Sequence, residues 1–142
     1  MRILAIDYGE KWLGLALSDP LQITAQPLGS HCLSTEEENR LFFAQLVAKH
    51  DIGQIIVGWP LQMNGESGNQ ARRAQEFASW LEKNFSLPVV LWDERLTTKQ
   101  AQNLMQEQNI PAAKGKKIEH TIAAVLILES YLERKRLDES GN

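Results

Sequence analysis

The chain has 142 residues, with 15 Lys+Arg against 18 Asp+Glu and a formal net charge of -3. That length suits one domain, and 43% hydrophobic with 23% charged residues argues against a disordered chain. The acidic balance excludes a protein that coats nucleic acid by bulk charge, though not a local basic face; the lone cysteine, Cys32, excludes an intramolecular disulfide and a multi-cysteine zinc site.

Ile3–Ile6 is an apolar run that stops at Asp7-Tyr8-Gly9, the pattern of a buried strand ending in a turn. Leu13–Ser18 is a second strand, and the short link predicts a β-hairpin. Ile23–Pro27 is predicted as a third strand at an edge, because Pro27 cannot donate to a ladder. Ser34 or Thr35, followed by Glu36, Glu37 and Glu38, marks a helix start, and Leu41, Phe42, Leu46 and Val47 form its apolar stripe.

Gln54–Gly58 is a fourth strand, closed by Trp59-Pro60 and followed by a polar loop from Leu61 to Asn69. A helix over Ala71–Phe85 presents Ala74, Phe77, Ala78 and Leu81 on one face. Pro88–Trp92 is the fifth strand. Thr97 or Thr98 caps a helix through Met105, Asn109–Lys117 is a loop, and Ile118–Arg136 is a long last helix. The domain is expected over residues 1–137, with 138–142 as a frayed tail. A hairpin followed by strand–helix alternation predicts an α/β fold, a mixed sheet with helices on both faces.

The longest apolar run, Ile122–Leu128, is far short of the ~18 residues that span a bilayer. The opening residues lack the pattern of a secretory leader, so a reducing compartment, the cytoplasm, is expected and no membrane partner. An edge strand near Ile23 leaves the choice between a monomer and a homodimer open.

In open α/β sheets, function sits beyond the carboxyl ends of the parallel strands. Asp7 interrupts an apolar strand there, where an unpaired carboxylate is costly. Asp93 and Glu94 end another strand; adjacent strand residues point to opposite faces, so only one of them faces the same site as Asp7. Two such carboxylates offer hard oxygen donors for Mg²⁺ or Mn²⁺, which can activate water against a phosphodiester. Lys11, Arg72, Arg73, Arg95, Lys114, Lys116 and Lys117 are placed to form a nucleic-acid-binding rim around that acidic centre. Trp59 and Trp92 are read as packing residues.

Four stretches, Asp7-Tyr8-Gly9 through Leu13–Asp19, Val57-Gly58-Trp59-Pro60-Leu61 with Asn64-Gly65, Asp93-Glu94-Arg95-Leu96-Thr97-Thr98, and Ala123–Leu128 with Tyr131-Leu132, resemble the YqgF/RuvX-type family in order. The resemblance implies a ribonuclease-H-like fold with a five-stranded mixed sheet. It implies a metal-dependent endonuclease that processes the 5′ end of pre-16S ribosomal RNA in ribosome biogenesis. The alternatives are a Holliday-junction resolvase acting on branched DNA and a non-catalytic RNA-binding ribosome-assembly factor. Its partners would then be structured RNA or branched DNA, and pre-ribosomal particles.

By the same likeness Asp7 and Glu94 are catalytic, metal-binding carboxylates, with a third carboxylate expected three residues before the paired alanines. That position holds His120, with Glu119 beside it. His120 can act as a substitute ligand or as a base, while Glu119 points about 100° away on a helix and serves only if the helix start is shifted. Trp12 stands where the family carries arginine, which removes a phosphate contact or replaces it with base stacking on the indole.

Overall fold

The computed structural model describes residues 1–59, 68–93 and 112–140. Its elements are β1 (Arg2–Asp7), β2 (Trp12–Ser18), β3 (Ala25–Cys32), α1 (Glu36–His50), β4 (Ile52–Trp59), α2 (Asn69–Phe85), β5 (Val89–Asp93) and α3 (Ala112–Ser140). The five strands form one sheet in the order β3-β2-β1-β4-β5. β1, β2 and β3 pair antiparallel as a meander, whereas β4 and β5 join β1 in parallel. The predicted helix from Thr97 or Thr98 to Met105 lies outside the described residues.

The pleat of β1 decides what each face buries. Leu4 and Ile6 point to one side with Leu13, Leu15, Ile55 and Val57, and α1 and α2 close that core through Phe43, Ala74 and Leu81. Ile3 and Ala5 point to the other side with Ala16 and Ile56, under Ala124, Ile127 and Leu128 of α3. Helices therefore cover both faces, as the alternation of elements predicts. Ser18, buried in β2, accepts the backbone N–H of Ile3 at Oγ (2.8 Å) and so satisfies a buried donor at the start of β1.

Thr35 caps α1: its side chain accepts from the Glu38 backbone N–H at 3.2 Å, with three glutamates in the first turn. Of the expected apolar stripe, Phe42, Leu46 and Val47 pack against the core and Leu41 does not. Phe43 is the fully buried residue of α1, and Leu41 is 50% exposed.

Several element boundaries differ from expectation, those of β3 and the last helix most. β3 runs from Ala25 to Cys32, not from Ile23 to Pro27. Its polar second half, with Gly29 and Ser30, carries no strand signal of its own; pairing with β2 imposes it. A bulge falls between Leu15 and Ala16 opposite Pro27 and Gly29, where Gly29 takes φ 130°, a value an L side chain resists. The last helix runs from Ala112 to Ser140, not from Ile118 to Arg136, so Lys114, Lys116 and Lys117 stand in its first turns and not in a loop, and residues 138–140 continue the helix rather than fray. Gly115 costs a helix only about 1 kcal/mol, which the packing of α3 on the sheet exceeds.

Candidate active site

The parallel strands β1, β4 and β5 end side by side, with Ile6 beside Val57 and Gly58 beside Trp92. Asp7 is the last residue of β1 and only 3% exposed. It follows Ile3 and Ala5 in the pleat and so faces α3. His120, on α3, places Nδ1 at 2.5 Å from Asp7 Oδ2. With Asp7 ionised, the hydrogen of this contact belongs to Nδ1, which leaves Nε2 as the nitrogen that can accept a proton. A carboxylate this buried needs such a donor, since an unpartnered one would be strongly destabilising.

Two glycines of the hairpin make the pairing possible. A Cβ at Gly14 would stand 1.8 Å from the His120 backbone oxygen and 2.0 Å from its carbonyl carbon, so α3 lies directly on the backbone of β2. A Cβ at Gly9 would meet Trp12 O at 2.4 Å and His120 Cε1 and Nε2 at 2.7 Å, so the imidazole fills the space above the turn. Thr121, next to His120, fixes the helix further: its Oγ1 lies 3.0 Å from both Gly29 O and Lys117 O, to either of which its hydroxyl can donate.

Trp12 opens β2 on the same side as Gly14 and Ala16. The Lys117 ammonium sits over its indole, 4.2 Å from the ring centroid. The Trp12 indole thus holds a cation one helical turn before His120, and one of its faces is covered by that cation. Sequence reasoning treated Trp12 and Lys117 separately; nothing in the local sequence links residues so far apart.

Other predicted site residues are distributed as follows. Lys11 is exposed in the β1–β2 turn, and Arg72 and Arg73 are exposed in the first turns of α2. Gln70 Nε2 donates to Glu10 Oε1 at 3.4 Å, which ties that turn to the start of α2. Asp93 follows Val89 and Leu91 in the pleat of β5, on the α1/α2 side and away from Asp7. Glu119 is half-buried on α3. Glu94 and Arg95 lie outside the described residues, as do the side chains of Lys114 and Lys116. Trp92 packs as expected, with its Nε1 donating to Ser130 Oγ at 3.2 Å and its ring edge-on to Tyr131.

For a divalent ion the donor types fit: a carboxylate at the sheet's carboxyl end beside an imidazole. Among the described residues no group of three or more His, Cys, Asp or Glu could hold a metal ion. Asp7 and His120 are hydrogen-bonded to each other.

A five-stranded sheet of this order with helices on both faces is the ribonuclease-H-like fold. The fold matches T. thermophilus RuvC in complex with a Holliday junction substrate (TM-score 0.58, 14% identity, covering 96% of each chain). It also matches the Fowlpox virus resolvase with its substrate Holliday junction DNA (TM-score 0.60, 13% identity, covering 95% of this chain and 99% of that one). A relative from Koribacter versatilis, named "Putative pre-16S rRNA nuclease", is 39% identical over 96% of this chain and 90% of its own. A Lachnospira eligens protein of the same name is 40% identical over 96% of this chain and 99% of its own. The family model described as "RuvX: Holliday junction resolvase" matches residues 1–134, and the chain belongs to that family.

Proposed function

We propose that this chain is a divalent-metal endonuclease that cleaves structured RNA, the precursor of 16S ribosomal RNA. The observation that carries the reading is Asp7, a buried carboxylate at the carboxyl end of the central strand, held to His120 on α3. Full-length relatives named for the same activity support the choice of RNA.

Asp7 and Glu94 would hold Mg²⁺ or Mn²⁺, Asp93 being turned to the other face of the sheet. When bound, such an ion acidifies water and offsets charge on a phosphodiester. His120 serves as the proton carrier: Asp7 fixes its Nδ1–H, and Nε2 takes or returns the proton. Glu119, about 100° around the helix, is the reserve ligand. Lys117 on its indole, Lys11, Arg72 and Arg73 hold the backbone, with Arg95, Lys114 and Lys116 assigned to the same rim. Recognition of this kind reads RNA shape and weakens with salt. The reading places the protein in the cytoplasm, with pre-ribosomal particles.

A second reading is branched DNA, favoured by the family's own description. Side-by-side cleavage of a pre-16S 5′ leader and a four-way junction separates the two. The RNA reading predicts metal-dependent cleavage of the leader, abolished by chelator, and little of the junction. The reverse preference overturns it.

A further inference from the structure

Tyr8 follows Asp7 and points to the opposite face of the sheet, where it lines a cavity of about 420 Å³ between the starts of α1 and α2. That size falls in the range of small-ligand sites. Its wall is aromatic. Tyr8 lies 5.3 Å from Phe77 between ring centroids, and Phe77 stacks on Trp80 at 5.8 Å and 16°. All three rings are half-buried, so each keeps an open surface. The wall is also held in place. Fully buried Phe43 backs Phe77 and Trp80 edge-on at 5.8 and 6.5 Å, and Trp80 Nε1 donates to Glu36 Oε1 at 3.3 Å.

Arg73 stands at the rim, with Glu76 and Glu36 close by. Cation and carboxylates offset each other there, so ring stacking rather than charge would supply affinity. A flat, sequence-tolerant ligand with π faces suits preformed rings of this kind, as in single-strand binding platforms.

We propose that this cavity holds an unpaired base of the nucleic acid cleaved at Asp7, stacked against Tyr8 and Phe77. The proposal rests on the nuclease reading. A strand crossing the end of β1 passes from the Asp7 face to the Tyr8 face, so the captured base lies a short distance from the scissile phosphate. The enzyme then prefers a site flanked by single strand over uninterrupted duplex.

The test uses two RNA hairpins in EDTA: one fully paired, one with a single-stranded 5′ extension carrying 2-aminopurine, whose fluorescence falls on stacking. Wild type is expected to bind the extended hairpin about tenfold tighter and to quench the probe. Tyr8→Leu and, independently, Phe77→Leu lose both effects, and that loss is the same at low and high salt. Tyr8→Phe keeps them. Equal affinity of wild type for the two hairpins, or an unquenched probe in the bound complex, overturns the proposal even if either leucine variant fails to fold. Because cleavage is not measured here, an inactive enzyme leaves the base site standing, and a lost quench leaves the nuclease reading standing.

Discussion

His120 Nδ1 lies 2.5 Å from Asp7 Oδ2, and this contact joins the end of the central strand to a helix 113 residues further along the chain. The Asp7 side chain is 4% exposed and that of His120 25%, so the buried carboxylate is partnered while the imidazole stays accessible. The pair therefore does two jobs. It partners a carboxylate at the sheet's end, and it orients the imidazole ring.

Replacing His120 separates those jobs. His120→Ala is expected to lower kcat about 100-fold or more, with RNA binding little changed. His120→Asp restores the carboxylate that the family resemblance expects, but sets two anions against each other. Its melting temperature in EDTA should fall below that of wild type and recover when Mg²⁺ or Mn²⁺ is added. A variant as stable as wild type in EDTA would speak against the pairing.

The glycines of the hairpin should differ in what they tolerate. At Gly14 a methyl group would collide with the backbone of α3 at 1.8 Å. Gly14→Ala is expected to cost about 1–3 kcal/mol or more, visible in thermal melting. At Gly9 two of the three close atoms belong to the His120 ring, although Trp12 O is backbone. Gly9→Ala should displace the imidazole and reduce activity more than it reduces stability. Unchanged activity in a folded Gly9→Ala would show that the ring is not held there.

The Lys117–Trp12 pair makes a salt-dependence prediction. Lys117→Ala should weaken RNA binding uniformly and flatten the plot of log affinity against log salt by about one unit. Trp12→Ala removes the surface on which the ammonium rests and should produce part of the same change. Equal salt slopes for all three proteins would remove Lys117 from the interface.

Away from the site, Thr35→Ala deletes the side-chain acceptor for the Glu38 N–H. A loss of about 1 kcal/mol is expected, which is about 2–4 °C in melting temperature for a chain of this size. Activity should follow stability alone.

Much of this was legible from local pattern. Apolar runs ending at Asp7, Trp59 and Asp93 marked the parallel strands, and Ser34 or Thr35 with the three glutamates marked a capped helix. What escaped was set by partners distant in sequence. Gly29 and Ser30 become strand only because β2 pairs with them. Gly115 and its flanking lysines read as loop, yet the helix that packs His120 on Gly14 extends back through them. Of the site, the sequence singled out Asp7 and His120 individually. Their contact, and the cation seated on Trp12, are products of the fold: α3 crosses the first hairpin at Gly14, and no local signal encodes that crossing.

The nuclease account turns on the carboxylate of Asp7, and Asp7→Asn tests it most directly. The substitution keeps the shape and an acceptor for His120 Nδ1–H while removing the charge. Cleavage of a pre-16S 5′ leader in Mg²⁺ or Mn²⁺ should fall at least about 100-fold relative to wild type, since even residues supporting a metal ligand matter on that scale. The melting temperature in EDTA should stay close to that of wild type. Equal metal-dependent cleavage by both proteins would contradict the account.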